Sequence, residues 1–135
     1  LAFGANCGTG ASDILRTVLG FAAQGSERPI ISKGNAGIPK YVDGHIHYDG
    51  TPELMGEYAV LARESGAKII GGCCGTMPDH LRHMREALDS RPRGDRPSLE
   101  QIVEVLGPFT SASDGTSDED QAASERRSRR GRRRS

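Results

Sequence analysis

An α/β fold on a parallel sheet is predicted by three observations. Short apolar runs alternate with amphipathic helical stretches, tight turns precede the strand-like runs, and the residues able to do chemistry fall at the C-terminal ends of those runs. The most informative stretch is Gly71-Gly72-Cys73-Cys74-Gly75-Thr76, which sets two adjacent thiols between glycines, after an apolar run and before a helix start. A disulfide between neighbours is disfavoured, because their Cα atoms lie about 3.8 Å apart, below the ~4.4 Å lower edge of ordinary bridges. A soft metal, with zinc the default, accepts both sulfurs if a third ligand arrives from elsewhere. The only other cysteine is Cys7.

The elements follow in order. Residues 2–6 read as a strand ending in Gly4-Ala5-Asn6-Cys7-Gly8. Ser12 or Thr9 offers a cap to a helix whose Ile14, Leu15, Val18, Leu19 and Ala22 form one apolar stripe. A turn over residues 24–28 leads into a second strand, 29–33, and then a long loop opening Gly34-Asn35-Ala36-Gly37. Thr51 and Pro52 supply a cap and an N1 proline to a helix carrying Leu54, Met55, Tyr58, Ala59, Leu61 and Ala62, which Gly66 closes. A third strand, 67–71, delivers the paired cysteines. Thr76 with Asp79 resembles a capping box for a helix bearing Leu81, Met84 and Leu88.

Three βα units in succession place Cys7, Asn35 and Cys73 with Cys74 at or just beyond strand ends. That is where (β/α)8 barrels keep their active sites, and alternate strands there feed one interior layer. First and third strands are alternates. They stand about 10 Å apart at ~4.8 Å per step, and barrel curvature brings inward thiols close enough to share one zinc. A closed barrel takes about 250 residues, so the expectation is an incomplete TIM barrel: its C-terminal three βα units over residues 1–90, with bare outer strands. The start at Leu1, without an initiator Met, reads as that of a fragment.

Residues 91–106 form an extension, in which Ser98 caps a short helix with Leu99, Ile102, Val103 and Leu106, expected on the outside of the barrel. Residues 107–135 are too polar to offset ordering entropy and read as a disordered tail. The balance of 18 basic and 18 acidic groups conceals seven arginines within residues 126–134. This cluster is suited to a polyanion such as RNA, but no aromatic stacking platform accompanies it, and a solubilising tail is favoured over nucleic-acid binding. No apolar stretch approaches the ~20 residues needed to span a bilayer, and no signal peptide opens the chain, so no membrane partner is expected and the cytoplasm is the default.

Bland readings stand beside these. Cys7 by itself suits a small buried hydrophobe as well as a ligand. A structural zinc site would need one histidine from His45, His47, His80 and His83, of which the first two fall on the long loop and the last two on a helix surface. Lys33 either faces the pocket or ends its strand in solvent. Asn35 also suits a left-handed turn.

Taken together, Gly4-Ala5-Asn6-Cys7, Gly34-Asn35-Ala36-Gly37 and Gly71-Gly72-Cys73-Cys74-Gly75-Thr76 closely resemble, in order and spacing, the last three βα units of the homocysteine S-methyltransferase domain. That family includes betaine–homocysteine methyltransferases and the homocysteine module of cobalamin-dependent methionine synthase. The resemblance implies a zinc-dependent enzyme that methylates homocysteine to methionine, with Cys7, Cys73 and Cys74 as zinc thiolates and Asn35 beside the substrate pocket. Its implied partners are homocysteine and a small methyl donor. A homo-oligomer is compatible with it. The long extension from Arg91 to Thr116 leans toward the stand-alone betaine-type or a related branch, and the fragment by itself is expected to be inactive.

Overall fold

The computed structural model describes residues 1–7, 10–25, 27–37 and 39–109. Strands β1 (Phe3–Cys7), β2 (Ile30–Gly34) and β5 (Ala67–Gly72) form a parallel sheet in the order β1-β2-β5. Helices α1 (Ala11–Ala23) and α2 (Pro52–Ser65) follow β1 and precede β5, giving a mixed α/β fold of βα units. The register pairs Cys7 with Gly34 and Gly34 with Gly72. The C-terminal ends of all three strands therefore lie in one row.

Alternation along the strands separates two faces. Phe3, Ala5, Ile30, Ser32 and Ala67 meet the helices, where Leu15, Val18, Met55, Tyr58, Ala59 and Ala62 are fully buried. Tyr58 anchors this layer. Its hydroxyl and Ser32 Oγ share a 2.5 Å hydrogen bond, and its ring lies so close to Gly34 that a Cβ there would come within 3.0 Å. Asn6 and Lys33 emerge on the opposite face, which is exposed among the described residues, and Ile69 near β5's start is also half exposed.

Helix signals are met in two cases. Thr51 Oγ1 accepts from the Leu54 amide at 3.1 Å, Pro52 opens α2, and Gly66 ends it with φ of 113°. Helix α4 (Leu99–Leu106) is capped reciprocally by Ser98 and Gln101 at 3.2 and 3.0 Å. It packs on α1 and α2 through the buried Ile102. Arg63 ties the intervening segment down by donating to the carbonyls of Leu88, Arg91 and Pro92, each at 3.0 Å.

Three local expectations are corrected. The N-cap of α1 is Gly10, and Ser12 instead donates to the Gly107 carbonyl at 2.7 Å, joining α1 to the end of α4; Thr9 lies outside the described residues. Helix α3 (Pro78–Ser90) is not opened by Thr76 and Asp79. Its N-cap is Met77, whose amide donates to His80 Nδ1 at 3.0 Å, while the Thr76 amide is drawn into a turn onto the Cys73 carbonyl. The long loop after Gly34 contains an antiparallel hairpin, β3 (Pro39–Val42) and β4 (His45–Tyr48), reversed at Asp43-Gly44 with φ of 51° and 79°. Two successive left-handed residues match the twist that two-residue hairpin turns require. The expected tail falls mostly outside the described residues, which end at Phe109.

Candidate metal centre

At the end of β1, Cys7 takes a left-handed φ of 63°. That conformation costs a residue with a Cβ roughly 1–2 kcal/mol, and such strain is borne where the surroundings enforce it. Here it turns the chain sharply at the last strand residue and leaves the Cys7 sulfur against Cys74. At the end of β5 the chain is held by backbone: the Cys73 amide donates to the Gly34 carbonyl at 2.9 Å, and the Ala36 amide to the Cys74 carbonyl at 2.9 Å. Asn35, only 1% exposed, accepts from the Cys74 amide through Oδ1 at 3.1 Å. The loop after β2 thus clamps both cysteines.

The result is a cluster of sulfurs. Cys7 Sγ lies 3.6 Å from Cys74 Sγ, Cys73 Sγ lies 4.0 Å from Cys74 Sγ, and all three fall within 4.8 Å of one another. These separations rule out disulfides, whose sulfurs sit at about 2.05 Å; all three cysteines are free. They suit a tetrahedral ion. Bonds of about 2.3 Å to each sulfur set edges of about 3.8 Å.

Electrostatics points the same way. Burial pushes the Cys73 thiol up, but hydrogen bonds from Asn6, Cys7 and Cys74 outweigh it and hold the group below the ordinary thiol range. Cys74 is held above that range, chiefly by its hydrogen bond with Cys7, against a lowering contribution from Tyr48. One thiolate thus forms at its neighbour's expense. Three thiolates at this spacing would repel one another, and a soft cation such as zinc could relieve that repulsion.

Among the described residues no histidine joins the cluster. His80 is not a surface residue as expected: it is 9% exposed, with Nδ1 accepting from Met77 and Nε2 at 2.8 Å from the Gly50 carbonyl. Donation to that carbonyl requires the proton on Nε2. His83 is half-buried and faces the Asp79 carbonyl and Glu53, and His45 lies exposed on β4 instead of a loop. Lys33 is exposed on the open sheet face beside Gly71.

Two site residues were not anticipated. Asn6 reaches Cys73 Sγ with Nδ2 at 3.9 Å, and Tyr48, the last residue of β4, packs its ring on Gly75 beside Cys74. Asn6 was visible next to Cys7, but on a regular strand neighbours point to opposite faces. Only the left-handed turn at Cys7 lets both serve one cluster. Tyr48 belongs to the β3–β4 hairpin, within the stretch expected to be a long loop.

Comparison with known proteins agrees with this geometry. A family model described as homocysteine S-methyltransferase matches residues 1–88. Methionine synthase from Mycobacterium leprae (strain TN) is 32% identical over 117 residues, covering 78% of this chain and 10% of the relative. The chain therefore spans about a tenth of that relative's length. With the family match running through both strand ends that carry the cysteines, the chain belongs to the homocysteine S-methyltransferase family.

Proposed function

We propose that the protein is a zinc-dependent homocysteine S-methyltransferase in which Cys7, Cys73 and Cys74 are the zinc thiolates. One observation carries this reading: three sulfurs from the ends of two strands, with β2 between them, converge within 4.8 Å. Zinc held there would supply Lewis acidity that keeps an incoming thiol deprotonated near neutral pH, at a fourth position left open. The remaining tasks fall to the chain. Its three cysteinates supply enough negative charge to keep a guest thiolate nucleophilic, and its backbone clamp from Gly34 to Ala36 fixes where that thiolate sits. Methyl transfer forms a sulfur–carbon bond at homocysteine and breaks a nitrogen–carbon or sulfur–carbon bond in the donor, which leaves with the electron pair. In-line attack requires an approach of about 3–3.5 Å.

In this reading residues 1–90 are the last three βα units of a closed (β/α)8 barrel, whose interior the open sheet face would line. Residues 91–106 are an extension docked through α4, and residues 107–135 a tail. Asn35 is a pocket residue that acts at least through the Cys74 backbone. A cytoplasmic setting fits free thiols, and among the described residues no helix is long and apolar enough to cross a membrane.

The test is turnover of the full-length protein with homocysteine and a panel of methyl donors, metal-loaded and metal-stripped. Activity with at least one donor should vanish on stripping and return with zinc. Cys73→Ala should lose stoichiometric zinc and methyl transfer together. Stoichiometric zinc and normal turnover in that variant would refute the assignment.

A further inference from the structure

Hydrogen-bond donors outside a metal's ligands tune how strongly those ligands bind, and their loss costs about 10- to 100-fold in metal affinity or activity. Two such donors flank the cysteine cluster. Asn6 Nδ2 points at Cys73 Sγ from β1 at 3.9 Å. Tyr48, at the end of β4, lies beside Cys74, with its ring over the Gly75 backbone. Gly75 has φ of 75°, and any Cβ there would overlap the tyrosine. The glycine after the double cysteine therefore makes room for the phenol.

The position of Tyr48 is fixed from behind. Gly50, two residues on, donates to the Ala36 carbonyl at 2.9 Å and accepts from His80 at 2.8 Å. A Cβ at Gly50 would run into the Ala36 and Gly37 backbone. The hairpin is thus locked to the same loop that clamps the cysteines.

We propose that Tyr48 and Asn6 are positioning residues for the metal centre, each donating to one thiolate: Tyr48 to Cys74 and Asn6 to Cys73. This rests on the zinc reading above. Each donation draws some charge from one sulfur but fixes its direction, and the orientation outweighs the charge withdrawn, so the two paired cysteines hold the ion better with their donors than without; Cys7 receives no side-chain N–H or O–H donation among the described residues.

Cobalt(II) is the probe, because sulfur-to-cobalt charge-transfer absorption reports thiolate electron density without turnover. In full-length protein, Tyr48→Phe and Asn6→Ala should each keep one cobalt per chain, shift the charge-transfer band to lower energy, and weaken metal binding about tenfold against a chromogenic chelator. Tyr41→Phe, on the same hairpin with Tyr41 77% exposed, should leave spectrum and affinity unchanged. Wild-type protein that binds no cobalt overturns the zinc reading, and this inference with it. Wild-type protein that binds one cobalt while both variants keep its spectrum and affinity overturns this inference alone. Asn6→Ala decides the matter if circular dichroism shows Tyr48→Phe unfolded.

Discussion

Tyr58 shows how one side chain sets both packing and alkaline stability. Burial pushes its hydroxyl up to about 12, against the opposing hydrogen bonds from Ser32 and Gly34. A phenol whose proton is held more tightly in the folded state than in the unfolded one favours folding fully below pH ~10. That advantage is lost as pH rises from ~10 through ~12, and two units correspond to about 3 kcal/mol. Phenolate absorbance should therefore show Tyr58 ionising only as the fold is lost. Tyr58→Phe should abolish that coupling. Ionisation of Tyr58 in the still-folded protein at the ordinary phenol range would contradict the assignment.

At the level of elements, His80 joins the hairpin loop to the first turn of α3. Removing the imidazole leaves the Met77 amide and the Gly50 carbonyl without this partner. The Gly50 carbonyl is the buried one of the two, and stranding it costs about 1–3 kcal/mol, so His80→Ala should lower denaturant-measured stability by roughly 2 kcal/mol. An unchanged midpoint would show that water replaces the ring. The same helix shows where sequence was a partial guide. Thr51 and Ser98 were legible as caps because their partners lie three residues away. At Thr76 the local pattern misled, since a turn onto Cys73 claimed its amide and a histidine side chain supplied the acceptor. The hairpin did carry a local signal in Asp43-Gly44, flanked by Tyr41-Val42 and by the alternating His45-Ile46-His47-Tyr48. The three cysteines were legible as a set through motif spacing. The donations from Asn6 and Tyr48 were not, because they depend on a left-handed residue and on a hairpin closing over a distant glycine.

For the whole molecule, the open sheet face and the helical layer divide the labour. The helices, with α4 and the Arg63 contacts behind them, fix β1, β2 and β5 in register, and the register places the sulfurs. Cys7 and Cys74 are 67 residues apart, the first ending β1 and the second just beyond β5, strands that do not pair with each other. An ion gripped by both is therefore a reversible cross-link around most of the fold, and the chain cannot unravel without releasing it. At a free metal concentration a thousandfold above the dissociation constant, such linkage adds about 4 kcal/mol. The melting temperature should climb with zinc and fall with a chelator, and Cys7→Ala should be insensitive to both. Metal supply would then govern not only whether this polypeptide works but how long it survives proteolysis.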